Sequence, residues 1–288
     1  MLQNGVMPYW ALFLLLFCGT GLFGEQDRQL REPTEREAAL GAALVSQVRR
    51  QTTPLALASV NQYVQNLVSK LADHIPEARS TWTCLVIEDH RGGSTHEPLS
   101  VPGGYLFISA QLILAAENEG ELAGMLAHSM THIVERHAFR QATHGEIAQL
   151  ANVPVIFMGG PSVWGRDDEN LLVSATFLKM QRQQELDADG GAVELMAAAG
   201  YDPQAMLGYI RRVQAEISSQ RQSFSTLPPR SVRINYLEQM MAGLRASDSF
   251  MLDNSFFHSI QDQVRNSLPR PSMPERTRRI PSLMHPDR

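Results

Sequence analysis

The sequence has little cysteine and no excess of positive charge. Only two of its 288 residues are cysteines, Cys18 and Cys84, and 25 Lys and Arg stand against 30 Asp and Glu. Because Cys18 lies in an apolar leader, we expect no internal disulfide once that leader is removed. The formal net charge of −5 provides no basic face that would neutralise phosphates, which argues against a nucleic-acid partner.

Long apolar runs are also scarce. The main run covers residues 9–23 and is too short to span a bilayer comfortably. It predicts an export signal over residues 1–24, cleaved or retained as an anchor, although no Lys or Arg precedes it. Phe17 stands just before Cys18, where lipoprotein signals carry a small residue, so a lipid anchor is disfavoured. We therefore expect an exported protein of the periplasm or cell envelope, with membrane tethering as the alternative.

Helical periodicity dominates the rest of the chain, whose 43% hydrophobic and 19% charged composition suits one globular domain. Apolar residues recur at helical spacing in residues 34–48, 55–71, 119–141, 169–199, 203–218, 231–244 and 253–264. Two stretches, residues 81–87 and 99–109, have the composition of strands. We therefore predict a mainly helical α+β fold with a small β-sheet, and a loop or flap at residues 151–165.

The same patterns divide the chain. We expect a helical segment at residues 25–78, a main domain at residues 79–266 and a disordered tail at residues 267–288, which is rich in Pro and Arg. The arginines of that tail could alternatively make a peripheral contact with anionic lipid head groups. Cys84 lies in a predicted strand, where we interpret it as a buried small side chain rather than a nucleophile.

Two histidines four residues apart, His128 and His132, lie on the long helix predicted at residues 119–141. Side chains at that spacing share one helix face, so both can reach one metal ion. With nine histidines in the chain, such a pair arises by chance in about one random sequence in four. A solvated or capping pair is therefore the alternative interpretation.

Two carboxylates on the next predicted long helix could complete a metal site with these histidines. Glu185 is the candidate third ligand, because zinc held by two histidines is commonly completed by a carboxylate. Asp189, one turn later, could accept the second ring N–H of a ligating histidine and fix its orientation. An exposed acidic helix face is the alternative for both residues.

Several ordered motifs give the chain a resemblance to metallopeptidase family 48, a gluzincin family. They are the LAGMLAH run that ends at His128, the pair Arg136-His137, the spacing from Glu185 to Asp189, the Pro102-Gly103-Gly104 turn and residues 196–203. The resemblance covers residues 35–265 and implies a gluzincin-type, metallopeptidase-like domain. It also implies one Zn²⁺ per chain, held by His128, His132 and Glu185, and an edge strand that can hold an extended polypeptide substrate.

Two departures from the family pattern affect catalysis rather than metal binding. The resemblance implies a general-base glutamate directly after the first histidine, where this chain has Ser129. A serine hydroxyl cannot replace that base, and losing a positioned base lowers the rate by about 10²- to 10⁴-fold. The family also carries a histidine where this chain has Leu227, while the arginine that follows is kept as Arg233. We therefore expect impaired catalysis, with Ser129 and Arg233 as the candidate catalytic positions.

The sequence offers no clear replacement for the missing base. Glu135 shares a helix face with His128 but lies two turns away, and Asp187 and Asp189 lie nearer the third ligand. Zinc alone can activate water, which is compatible with slow hydrolysis. Three further histidines lack ligand spacing and are interpreted as surface residues: His90, His137 and His144.

Three functions from different classes fit this sequence. The first is a zinc endopeptidase that acts on unfolded or membrane-associated polypeptides. The second is a zinc-binding pseudopeptidase that holds such chains by strand addition beside residues 99–108, and the third is a structural metal site with a closed fourth position. Ser129 and Leu227 together favour an impaired endopeptidase, with the pseudopeptidase as the alternative.

Overall fold

A computed structural model describes residues 35–75, 81–88, 97–138, 175–214, 227–244 and 250–268. Within these ranges the elements are α1 (Glu35–Gln51), β1 (Thr53–Pro54), α2 (Ala58–Ala72), β2 (Thr83–Glu88), β3 (Leu99–Val101), β4 (Tyr105–Ser109), α3 (Ala110–Ala115), α4 (Glu119–Val134), α5 (Ala175–Ala198), α6 (Gln204–Val213), α7 (Arg230–Ala242) and α8 (Ser255–Ser267). The predicted mainly helical α+β fold with a small sheet is confirmed. The predicted leader, the flap at residues 151–165 and the tail from residue 269 onwards lie outside the described residues.

The four strands form one mixed sheet in the order β1-β2-β4-β3, so β3 is an edge strand. Strand β2 runs parallel to β4, with Cys84 opposite Leu106, and β3 runs antiparallel to β4. The turn between β3 and β4 requires glycine, because Gly103 and Gly104 have φ angles of +93° and +84°. The sequence thus builds a tight hairpin whose outer strand is β3.

Successive side chains along a strand point to opposite faces of the sheet, and hydrophobic clusters cover both faces. Leu106 and Ile108 of β4 point into the main core, which α2, α4 and α5 also line. Phe107 points the opposite way, into a smaller cluster with residues of α1. Cys84 lies in the main core, as predicted, and burial raises the pKa of its thiol, which keeps it protonated and unreactive.

Helix α4 is the centre of the fold. It begins after Asn118, whose side chain accepts a hydrogen bond from the backbone N–H of Glu121. All residues from 119 to 131 are buried, because α2, α5, α6 and β3 pack around the helix. The helix ends at Val134, earlier than predicted, since Arg136 adopts a left-handed φ of +56° and pairs with Glu37 of α1 at 2.5 Å.

Helix α5 approaches α4 closely at the level of the two histidines. A Cβ atom added to Gly191 would lie only 2.5 Å from Cγ2 of Thr131, so the absence of a side chain lets the two helices touch. Helix α5 ends at Ala198, and Gly200 follows with a φ of +81°, as the sequence predicted. This contact brings the acidic residues of α5 opposite the histidines of α4.

Helix α2 shares the main core with α4 and the sheet, so it packs against the elements assigned to the main domain. The division of the chain at residues 78 and 79 stays a prediction. None of the helices in the described ranges is long and apolar enough to cross a membrane.

Candidate metal centre

Three side chains from α4 and α5 converge at one point. The Nε2 atoms of His128 and His132 lie 3.1 Å apart. Oxygens of Glu185 lie 3.5 Å from Nε2 of His128 and 3.6 Å from Nε2 of His132. The structure therefore brings together the three residues that the sequence suggested as ligands, and one ligand atom from each lies within 4.8 Å of the other two.

These separations suit tetrahedral zinc. Zinc–ligand bonds of 2.0–2.2 Å imply ligand atoms about 3.3 to 3.6 Å apart, close to the three distances in the site. Oε2 of Glu185 is buried and has no hydrogen-bond partner among the described residues. Two imidazole nitrogens that face each other with a carboxylate beside them need a proton or a cation between them. The donor set and its geometry therefore fit a metal ion.

A buried chain of contacts supports His128 from behind. Its Nδ1 lies 2.9 Å from Oδ1 of Asp189, which is fully buried, so the carboxylate can accept the Nδ1–H and leave Nε2 free to face the metal position. Arg233 of α7 in turn donates two hydrogen bonds to Asp189, at 2.8 and 2.7 Å. The structure thus places Arg233 behind Asp189 as a support for its orientation.

Glu97, two residues before β3, also enters the site. Its Oε1 accepts a hydrogen bond from Nη1 of Arg233 at 2.9 Å, and its Oε2 lies 3.9 Å from Nε2 of His128. The residue is only 7% exposed. Gln214 accepts a second hydrogen bond from the same Nη1 at 3.1 Å. Arg233 therefore links Glu97 and Asp189 in one buried network.

His137 supports the second histidine. Its Nδ1 lies 2.9 Å from Nδ1 of His132, and its side chain is 2% exposed. The expectation that His137 is a surface histidine is therefore wrong, because the left-handed turn at Arg136 folds the chain back towards His132. If His132 donates its Nδ1–H to His137, its Nε2 is free to bind a metal. His90 and His144 lie outside the described residues.

Burial and neighbouring charges set the protonation of the site when no metal is bound. Burial alone would lower the pKa of His128, but the neighbouring carboxylates of Asp189, Glu185 and Glu97 raise it to about 10. Burial and the charge on His128 lower the pKa of His132. Burial would raise the pKa of Asp189, but Arg233 and His128 lower it to about 2. The site therefore holds one positive charge at the place where a cation would bind.

The net charge of this buried network also favours a bound cation. When both histidines are neutral, as metal binding requires, the carboxylates of Glu97, Asp189 and Glu185 supply three negative charges and Arg233 supplies one positive charge; without metal, the proton on His128 offsets one of these negative charges. The net charge of about −2 in a mostly buried cluster requires compensation, since an unpaired charge is costly to bury. A divalent cation would neutralise it.

The two departures from the family pattern are visible in the site. Ser129 is buried at 1% exposure, and its Oγ donates a hydrogen bond to the carbonyl oxygen of Pro98 at 3.0 Å. Leu227 is half-buried at the start of the segment that leads into α7 and offers no polar side-chain atom. Glu135 and Asp187 are exposed, and Asp187 accepts a hydrogen bond from Gln183, so neither faces the candidate ligands.

Sequence reasoning missed three residues of this site: Glu97, His137 and Gln214. Glu97 carries the clearest signal, since it stands just before the hairpin strand that resembles the family's edge strand. Its distance from His128 along the chain hides the contact, because only the packing of β3 against α4 brings them together. His137 is five residues from His132, a spacing that does not share a helix face.

The model of peptidase family M48 matches residues 58–241 of the chain. That match spans more than half of the chain and includes His128, His132, Glu185 and Arg233. The chain belongs to peptidase family M48.

Curated relatives are similar over part of their length. A beta-barrel assembly-enhancing protease of Escherichia coli K12 is 21% identical over 252 residues, which cover 81% of this chain and 50% of the relative. The protease of that name from Yersinia pestis is 23% identical over 62% of this chain and 38% of the relative. Mitochondrial metalloendopeptidase OMA1 of Schizosaccharomyces pombe is 24% identical over 62% of this chain and 52% of the relative. The chain thus spans about half or less of the length of these relatives.

Proposed function

We propose that this chain is a zinc-binding metalloendopeptidase homologue of the cell envelope whose catalysis is impaired because Ser129 stands at the general-base position. The observation that carries the proposal is the convergence of His128, His132 and Glu185 beside a buried serine. Membership of peptidase family M48 supports a peptidase origin for this arrangement.

One zinc ion per chain fits the three candidate ligands. Bound zinc would supply Lewis-acid chemistry at a peptide carbonyl and at water. Asp189 would hold His128, and His137 would hold His132, in the orientations that present Nε2 to the ion. Arg233 would keep Asp189 ionised and in place.

The impairment follows from what Ser129 does instead of accepting a proton. Its hydroxyl is committed to the Pro98 carbonyl, and it has no carboxylate with which to take a proton from water. The apolar Leu227 removes a second group that could stabilise charge near the metal. The ligand set is thus complete while two groups that would assist hydrolysis are absent.

The names of the relatives support the cellular setting and the substrate class. They are proteases of beta-barrel assembly and a mitochondrial metalloendopeptidase. We extend to this chain an exported location in the periplasm or envelope and a preference for unfolded or membrane-associated polypeptides. An extended substrate segment would add beside β3, which is last in the strand order of the described sheet and borders α4.

The alternative is a pseudopeptidase that binds polypeptides beside β3 and does not cut them. Cleavage of casein by the zinc-loaded full chain distinguishes the two, run beside Ser129→Glu and a His128→Ala control. Slow cleavage that depends on zinc and His128, and that rises at least about 10²-fold in Ser129→Glu, supports the impaired enzyme. Cleavage by Ser129→Glu alone identifies a pseudopeptidase on an intact scaffold. Cleavage that survives in His128→Ala contradicts the proposal.

A further inference from the structure

We infer that Glu97 provides the carboxylate that Ser129 lacks, and that the residual peptide hydrolysis of this chain depends on it. The inference rests on the proposed function, since it concerns the same metal centre. It assigns a catalytic role to a residue on the strand side of the site, outside the helix that carries the two histidines.

Glu97 is held in one orientation. Its Oε1 is fixed by the hydrogen bond from Arg233, which itself is held by Asp189. The other oxygen, Oε2, faces the candidate metal position, 3.9 Å from Nε2 of His128. A carboxylate with one oxygen anchored and the other directed at the site is preorganised to accept a hydrogen bond from a water molecule there.

The substitution at position 129 and the placement of Glu97 are connected through one contact. Ser129 donates its hydrogen bond to the carbonyl of Pro98, the residue that follows Glu97. Position 129 therefore faces the segment from which Glu97 enters. A glutamate at position 129 would bring a second carboxylate towards the region that Glu97 occupies. Serine instead holds the backbone at Pro98, next to Glu97.

The geometry favours Glu97 as a carboxylate that lies beside the metal position and does not bind the metal as a fourth ligand. The ligand atoms of His128, His132 and Glu185 lie within 4.8 Å of one another, and Glu97 is not a member of that group. Its Oε2 is 3.9 Å from Nε2 of His128, farther than the 3.1 and 3.5 Å that separate the same nitrogen atom from His132 and Glu185.

Glu97 also lies on the side where a substrate would bind. It lies two residues before β3, the edge strand along which we place the substrate. In the reaction, its carboxylate takes a proton from the water whose oxygen bonds to the scissile carbonyl carbon. It then gives that proton to the amide nitrogen as the C–N bond breaks, leaving a carboxylic acid and an amine as products.

The test is a cycle of four zinc-loaded full-length proteins: the natural chain, Glu97→Gln, Ser129→Glu and the double variant. Glu97→Gln should lower casein cleavage by the natural chain at least about 10²-fold, whereas in the Ser129→Glu background the same change should cost less than about threefold. Glu135→Gln is the matched control, because Glu135 is an exposed glutamate at the end of α4 and should leave cleavage unchanged.

A second measurement does not depend on activity. The visible spectrum of the Co²⁺-loaded protein reports the number and type of metal ligands, and it should be the same in the natural chain and in Glu97→Gln. A changed cobalt spectrum would make Glu97 a ligand that closes the site and would overturn the inference. This result would leave the proposed zinc site intact.

The remaining outcomes separate the two claims. If the natural chain cuts and Glu97→Gln cuts equally well, the inference fails and the impaired enzyme stands. If only proteins with Ser129→Glu cut, the inference fails and the natural chain is a pseudopeptidase. If no protein cuts although all of them bind zinc, both the inference and the proposed peptidase activity are wrong.

Discussion

Arg233 binds Asp189 through two hydrogen bonds, from Nε to Oδ2 at 2.8 Å and from Nη2 to Oδ1 at 2.7 Å, and both side chains are buried. Parallel contacts of this kind are among the strongest between side chains. Because the same guanidinium also binds Glu97, one arginine pairs with two carboxylates behind the candidate metal position and neutralises one of their two negative charges.

Replacing Arg233 should therefore destabilise the protein strongly. Arg233→Met leaves two buried carboxylates without their cation and should lower the free energy of unfolding by about 3–5 kcal/mol. Urea unfolding of the zinc-free protein measures this change. Arg211→Met is the control, because Arg211 pairs with Glu238 at the surface and should contribute less than about 1 kcal/mol. Equal losses in the two variants would contradict a structural role for the buried network.

The contact between α4 and α5 should tolerate no added methyl group at Gly191. A Cβ there would lie 2.5 Å from Cγ2 of Thr131, on the helix turn between the two histidines. Gly191→Ala should lower the free energy of unfolding by about 1–3 kcal/mol and weaken zinc binding, since it pushes Glu185 away from them. Gly243→Ala is the control, because a Cβ atom there would lie 3.6 Å from its nearest neighbour, the backbone oxygen of Met240. Unchanged zinc affinity in Gly191→Ala would show that the helix spacing does not set the site.

His137 should hold His132 in place for metal binding. His137→Ala removes the partner of Nδ1 and should weaken zinc binding by about 10- to 100-fold while the fold is retained. His137→Asn, which keeps a polar atom near that position, should recover part of the loss. Chelator competition measures both, with His258→Ala as the surface control. An affinity in His137→Ala equal to that of the natural chain would mean that the contact does not orient the ligand.

Zinc binding should release about one proton. Without metal, the pKa of His128 is raised to about 10, so this residue holds a proton at pH 8 that zinc must displace. The pKa of His132 is lowered, so it has no proton to lose. Below about pH 7, where zinc-bound water is still mostly protonated, the apparent affinity should thus rise about tenfold per pH unit. Calorimetry at about pH 6 in buffers of different ionisation enthalpy counts the protons, and a count of zero or two at that pH would contradict this assignment.

The sequence predicted the parts of the site that follow from local rules. Helical periodicity and the His128–His132 spacing placed two histidines on one face of α4, and the end of α5 followed from Gly200 and Pro203. The fold class and the family are confirmed. The structure brings His128, His132 and Glu185 together, and their role as ligands stays a prediction.

The rest depends on contacts that sequence spacing does not encode. Glu97 reaches the site because β3 packs beside α4, a tertiary arrangement without a local pattern. His137 was misassigned because the helix was expected to continue past Val134, whereas Arg136 turns the chain back. A short polar contact such as Ser129 to Pro98 likewise requires the two elements to be placed first.

The central claim is that His128, His132 and Glu185 hold one zinc ion. Its most direct test is the zinc content and affinity of the purified full-length chain beside His128→Ala, His132→Ala and Glu185→Gln, with Glu135→Gln as the control. We predict one zinc per chain in the natural protein and in Glu135→Gln, and a loss of affinity of at least about 10²-fold in each ligand variant. Stoichiometric zinc with unchanged affinity in the ligand variants would contradict the account.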